Sequence, residues 1–272
     1  MKTKKNGIGM ILMALMLSLC AGCSGNDRNP ATSVSNTSES VTQTTQEGST
    51  VKKSGGNGEL NAGGTSGAED ASYQSRVVKF DVTESVLGNG YAYRAIVEIE
   101  NTGNTNIYPE DTAFHIEDAD GNPVQTDTYP ESTPDVIKPG EKGYLFNQYA
   151  NELEGVTDAE GLQLRPEFTV TVPDSLPEEY EVSDLSITDG TLGVTATGMI
   201  TNHTEDNKSL FHIDVIYYDE NGDILAISGA NVDMGPGETV EFQSNGLDVP
   251  VEVKASMIAD YEVIARDHYF NW

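Results

Sequence analysis

Three short motifs in this 272-residue chain each occur twice, at nearly one spacing. Ile99-Glu100-Asn101-Thr102 returns as Ile200-Thr201-Asn202-His203, and Asp118-Ala119-Asp120-Gly121 returns as Asp219-Glu220-Asn221-Gly222, both 101 positions later. Ile137-Lys138-Pro139-Gly140-Glu141 returns as Met234-Gly235-Pro236-Gly237-Glu238, 97 positions later. An internal repeat punctuated by Asn, Asx-Gly and Pro-Gly restricts the fold more than any other feature. Each copy must be one compact unit whose turns fall at those residues. The implied unit runs strand, Asn turn, strand, Asx-Gly hairpin, strand, Pro-Gly turn, strand. Two copies of about 100 residues suit two small β-sandwiches.

The stretches between the turns alternate apolar and polar residues, as half-buried strands do. Tyr91, Tyr93, Ala95, Val97 and Ile99 share one face of a strand, with Arg94, Glu98 and Glu100 on the other. Leu192, Val194, Ala196 and Ile200 alternate with Thr195, Thr197 and Thr201, and Phe211, Ile213, Val215 and Tyr217 with His212, Asp214 and Tyr218. No long helical periodicity is present. Gln148 to Leu164 is the least strand-like stretch and has room for a short helix. The expected fold class is all-β, with one sandwich over 76–173 and a second over 174–272. The boundary is set by Pro173-Asp174-Ser175-Leu176-Pro177. The acidic run Glu178-Glu179-Tyr180-Glu181 at this junction reads as a solvated hinge; calcium held between the domains is the alternative.

The amino terminus reads differently. Lys2, Lys4 and Lys5 precede an apolar run from Ile8 to Leu19, too short to span a bilayer comfortably, followed by Cys20-Ala21-Gly22-Cys23-Ser24. Small residues before a cysteine resemble the lipobox of bacterial lipoprotein signals, with Cys20 where Leu is usual. The resemblance implies that residues 1–22 are removed and that Cys23 carries a diacylglyceryl thioether. Two acyl chains suffice for stable anchoring. An ordinary secretory signal and an uncleaved anchor are the alternatives. Residues 24–75 are rich in Ser, Thr, Gly, Asn and Gln and nearly free of large apolar side chains. Such a segment cannot offset its ordering entropy by burial, so 23–75 is expected to be a lipidated cysteine followed by a disordered linker. As a Gly/Ser-type coil of about 50 residues it would span roughly 40 Å. That distance lifts the folded part off a membrane, into the wall layer of a Gram-positive envelope.

Charge narrows the partners. Of the formal net charge of −29, residues 1–23 carry +3, residues 24–75 carry −3 and residues 76–272 carry −29. A folded part this acidic repels phosphate backbones and anionic membrane faces, which argues against nucleic-acid binding. Solubility and screening by envelope cations account for it. The only cysteines are Cys20 and Cys23. The folded part therefore has no thiol, which excludes a disulfide, a cysteine-ligated metal and a cysteine nucleophile there.

Val215-Ile216-Tyr217-Tyr218-Asp219, then Asn221-Gly222, then Pro236-Gly237-Glu238 leading to Phe242, resembles the FxLYD domain of Gram-positive lipoproteins and envelope proteins. Val215 stands where that family has Phe, and Tyr217 where it has Leu. The resemblance covers about 182–272 and extends weakly to 76–172. It implies tandem immunoglobulin-like β-sandwiches, and the family has no known catalytic residues to carry over.

Motifs that carry chemistry are scarce. Placing Gly121 at the glycine position of a calcium loop puts Ile116 at its first ligand position, and the second copy puts Tyr217 there. Neither can ligate, so Asp118-Ala119-Asp120-Gly121-Asn122 reads as a hairpin turn, with calcium the minor alternative. The histidines are His115, His203, His212 and His268; none share metal-ligand spacing. His115 and His212 sit on the polar faces of their strands, which points to surface positions. No nucleophile elbow, phosphate-binding loop, dinucleotide fingerprint or recognisable glycosidase pair occurs. No cofactor or metal is expected. The aromatic end, Tyr269-Phe270-Asn271-Trp272, is a weak partner-anchor candidate at Tyr269, Phe270 and Trp272; packing back onto the second sandwich is the favoured reading.

Together these readings lead to a membrane-anchored, extracytoplasmic lipoprotein that binds or positions an envelope protein or glycan without catalysis. A ligand-binding lipoprotein serving a transporter or sensor is the alternative, and a hydrolase comes third. A deep apolar pocket between the domains would favour the ligand binder and a filled core with flat outer sheets would count against it, while a pocket with convergent polar groups, or measured turnover, would sink the non-catalytic reading.

Overall fold

A computed structural model describes residues 71–85, 90–147 and 150–267. Cys23, the segment before residue 71, His268, Tyr269, Phe270 and Trp272 lie outside the described residues.

The fold is all-β. The first half contains β1 (Tyr73–Glu84), β2 (Tyr91–Asn101), β3 (Tyr108–Glu117), β4 (Pro123–Asp127), β5 (Glu131–Thr133), β6 (Lys142–Phe146), β7 (Asn151–Leu153) and β8 (Gln163–Thr171). The second contains β9 (Val182–Asp189), β10 (Val194–Thr201), β11 (Lys208–Tyr218), β12 (Ile224–Met234), β13 (Thr239–Gln243) and β14 (Asp260–Ala265). All pairings are antiparallel. In the first half the sheet β1-β2-β6-β5, with β7 also on β2, faces the sheet β4-β3-β8; in the second, β9-β10-β13 faces β12-β11-β14. Matched through the repeat, the two halves have one topology, with the crossing connections of a Greek-key sandwich.

The repeated residues are those that hold the turns. Asn101 and Asn202 are fully buried. Their Nδ2 groups donate to the carbonyls of Thr105 and Asp206, four residues on, and to Ile137 and Gly235 before the Pro-Gly turns. Their main-chain carbonyls accept from Gly140 and Gly237 in those turns. The hairpins match as well: Asp118 Oδ1 accepts the amides of Asp120 and Asn122, and Asp219 Oδ1 those of Asn221 and Asp223. Gly121 and Gly222 adopt φ of 80° and 81°, which a residue with a Cβ rarely reaches. These carboxylates close their own turns, as a hairpin requires.

Each sandwich has its own core. Tyr93, Val97, Ile99, Phe114, Ile116 and Leu145 fill the first; Val194, Ile200, Phe211, Ile213, Val215 and Phe242 fill the second. At Gly198, on the core face of β10, an added Cβ would lie 2.7 Å from the Phe242 ring. Gly198→Ala is expected to cost about 1–3 kcal/mol by overpacking, measured as a lowered urea midpoint; no change would show that Phe242 can shift aside.

A third core lies between the sandwiches. Ile96, Tyr144 and Phe146, on the outer face of the first sandwich's β1-β2-β6-β5 sheet, pack against Ile216, Ile227 and Ile264 on the outer face of β12-β11-β14. The molecule is therefore a stack of four sheets with three cores, and the central strands of its two inner sheets, β2 and β11, are buried on both faces. A fully buried isoleucine or phenylalanine contributes about 1.5–3 kcal/mol, so four isoleucines with Phe146 and Tyr144 outweigh the entropy of a free hinge.

This seam corrects several expectations. The junction is pinned. Glu179 pairs with Lys138 and with Arg266 (3.4 Å), His203 Nε2 lies 3.0 Å from Glu178, and Tyr180 is buried in the second core. Strand β1 begins at Tyr73, inside the expected linker, because Tyr73 pairs with Asn101 and its ring packs 5.6 Å from that of Phe168. The described part of 148–164 holds β7, two turns and the start of β8 in place of a helix. Gly155 and Gly161, at φ of 72° and 80°, break the chain there. Leu192 is exposed ahead of β10, which starts at Val194.

Candidate functional site

A cleft of about 530 Å³ opens along the seam. Its walls come from the start of β3 (Tyr108 to Thr112), from β5 and its flanks (Pro130, Glu131, Ser132, Asp135), and from His212 on β11 and Asn231 on β12. Residue 212 points away from the second core, as alternation requires, but the first sandwich covers that face. The His212 side chain is only 15% exposed, where the strand pattern alone pointed to a surface position.

Both imidazole nitrogens of His212 meet oxygen. Nδ1 lies 3.0 Å from Asn231 Oδ1, and Nε2 lies 2.9 Å from Oδ1 of the buried Asp214. Burial opposes a charged ring, but Asp214, helped by Asn231 and Glu131, outweighs it and raises His212 to about 9. The ring is thus an imidazolium at neutral pH, with both N–H groups donating. A general base needs a free nitrogen lone pair, which this arrangement does not offer. Ser132, on the same wall, donates its hydroxyl to Asp135 at 3.0 Å. These polar groups line one cleft without forming a nucleophile–base relay.

A folded-state pKa above that of the unfolded histidine stabilises the fold fully below pH ~6.5, and the contribution is lost as pH rises through about 9. On the order of 3 kcal/mol is at stake. Urea midpoints from pH 6 to 10 should fall for the wild type and fall less for His212→Gln. Parallel curves would assign the loss to other groups.

A second polar cluster lies deeper in the seam. Arg94 of β2 reaches across it: Nη1 donates to Asp248 O at 2.6 Å and Nη2 to Leu247 O at 2.9 Å, in the short 3-10 turn Gly246–Asp248. The Asp248 carboxylate, 2% exposed, accepts Gly229 N–H and Asn245 Nδ2, each at 2.9 Å. Burial raises Asp248 to about 7, against the Gly229 hydrogen bond, and the nearby Glu131 and Asp214 carboxylates add to the rise. Beyond it, the Tyr144 and Tyr218 hydroxyls meet at 3.1 Å, and Tyr218 donates to Glu262 at 3.3 Å. On β2, burial works against the Glu98 carboxylate, but Arg76 (2.9 Å) and Lys142 (3.0 Å) hold it below its usual range.

The other histidines lie apart from this cluster. His115 Nδ1 lies 3.0 Å from Thr126 Oγ1, and its Nε2 lies 3.1 Å from Glu167 but off the hydrogen-bonding line. His203 sits at the junction. Among the described residues, no three His, Cys, Asp or Glu side chains are grouped to hold a metal ion, and no helix is long and apolar enough to cross a membrane. The sequence reading missed Arg94, Asp248 and Asn231. The turn at 245–248 carries no motif, and only its Asn-to-Asp spacing, which caps the turn, offers a signal. No protein-family model and no curated protein matches this chain.

Proposed function

We propose that this chain is a membrane-anchored, extracytoplasmic module that binds or positions another component of the cell envelope and performs no catalysis. The observation that carries the reading is the four-sheet stack. Its apolar faces are spent on three internal cores, and its two outermost sheets present polar faces. One displays Thr195, Thr197, Thr239 and Glu241; the other carries the Glu117–Arg165–Glu167 ion pairs. Broad polar sheets suit recognition of a polar protein or glycan surface. The imidazolium state of His212 removes the most obvious candidate base, which weighs against a hydrolase. The lipobox-like Cys23 and the Ser/Thr/Gly-rich segment after it supply anchor and reach.

Crosslinking from intact cells, with Cys23→Ala as the released control, tests the reading. A reproducible protein or glycan partner that depends on Cys23 is expected. Turnover of a glycan, peptide or ester by the purified protein would overturn it.

The seam cleft favours one second reading, a ligand-binding lipoprotein for a transporter or sensor. Its walls are polar, so its ligand would be small and polar. A metabolite that raises Tm in the wild type but not in Asn231→Ala would favour this reading over the first.

A further inference from the structure

The seam contains a charged cluster that the proposed binding role does not use. Asp248 lies at its centre, held by Gly229 N–H and Asn245 within its own sandwich. Elements from both halves surround it. Arg94 from β2 grips the successive main-chain carbonyls of Leu247 and Asp248. Lys79 from β1 donates to Leu225 O at 2.8 Å and pairs with Asp81 at 3.3 Å. The charges of Glu131 on β5 and of Asp214 on β11, the partner of His212, act on Asp248, and that of Glu252, past the turn, acts on Arg94. A void of about 20 Å³ lies against Arg94, Asp248 and Lys79, room for about a single water.

We propose that this cluster is a proton-sensitive latch between the two sandwiches: with the Asp248 carboxyl protonated the sheets dock tightly, and its ionisation loosens the seam. The reason is electrostatic. Ionising Asp248 puts another negative charge beside Glu131 and Asp214, in a site that the first sandwich screens from water. Separating the sandwiches would return that charge to solvent. Arg94 cannot neutralise it fully, because its bonds to the turn go to carbonyl oxygens. The sign follows from linkage. Docked, Asp248 is held up at about 7; returned to water by separation it would fall back toward the ordinary carboxyl range, so docking is strongest at acid pH and weakens as pH rises through about 7. The junction around 172–181 is where the chain would flex, and Arg266 and Lys138 tether it through Glu179.

The test uses the mature chain in a Cys23→Ala background, with spin labels at Gln163→Cys and Thr188→Cys, one exposed site on each outermost sheet. Label-to-label distances are read by pulsed electron resonance from pH 5.5 to 8.5. A narrow distribution at pH 5.5 that loses at least half its narrow component by pH 8.5, with a midpoint near 7, is expected. Asp248→Asn should stay narrow throughout. A wild-type distribution that does not change with pH overturns the proposal, as does equal broadening in Asp248→Asn. If that variant fails to fold, Arg94→Gln takes its place, with broadening at every pH expected and a wild-type-like profile overturning the proposal.

Discussion

Asn202→Asp is expected to destabilise the protein by about 3–4 kcal/mol, nearly as much as Asn202→Ala, although it replaces one atom. The side chain is fully buried. Its Nδ2 donates to the carbonyls of Asp206 (2.7 Å), Gly235 (3.1 Å) and, more weakly, Met234 (3.4 Å), while Oδ1 accepts Thr204 N–H (3.0 Å) and Oγ1–H (2.7 Å). A carboxylate keeps the acceptor side but turns lone pairs toward three carbonyl oxygens. It must take up a proton or leave them unpaired, and each buried unsatisfied group costs about 1–3 kcal/mol. Urea unfolding at pH 7 should show a lower midpoint at unchanged slope, with part of the loss recovered below pH ~4, where the acid can donate again. Asn101→Asp should behave alike, because Asn101 makes the matching bonds to Thr105 O, Ile137 O and Gly103 N–H. A loss under about 1 kcal/mol in both would mean that water replaces the amide.

That symmetry shows how much of the fold was legible. Turn chemistry is local: an Asn, an Asx-Gly pair and a Pro-Gly each set their own hydrogen bonds, so the repeat transmits them to both halves. The core faces of β2, β10 and β11 were equally readable. What alternation could not show is which outer faces meet each other. Ile96 and Ile216 break the pattern by putting isoleucine on the nominally polar face, and runs such as Ala95-Ile96-Val97 and Val215-Ile216-Tyr217 mark strands buried on both sides. The clue was present but needed both sandwiches to interpret it. The His212 site was hidden for the same reason. A residue facing away from its own core was placed at the surface, whereas a second sandwich covers it. Asp248 was less visible still, since its environment comes from strands distant in sequence.

Ile216→Asp tests the seam most severely. The side chain is fully buried there, facing Ile96, Tyr144 and Phe146 across the interface. An unpaired carboxylate in that layer should cost about 3–5 kcal/mol. The loss is capped, however, because the sandwiches can separate and return the charge to water while each keeps its own core. The expected result at pH 5.5 is urea unfolding in two steps where the wild type shows one, with a larger radius of gyration before the first step. Phe146→Asp should do the same from the other side. Gln243 is the repeat counterpart of Phe146, 97 positions on, and it lies exposed on the outermost β9-β10-β13 sheet. Gln243→Asp should therefore change stability by no more than about 0.5 kcal/mol. His115 is likewise the counterpart of Ile216, 101 positions earlier, and it lies 3.1 Å from Glu167 on the other outermost sheet. The two copies share a topology, but each has made apolar only the sheet that meets its neighbour. A third sandwich would find polar surface at either end of the stack. If Gln243→Asp proved as costly as Phe146→Asp, the outer sheet would itself be a buried interface, and the stack would extend beyond one chain.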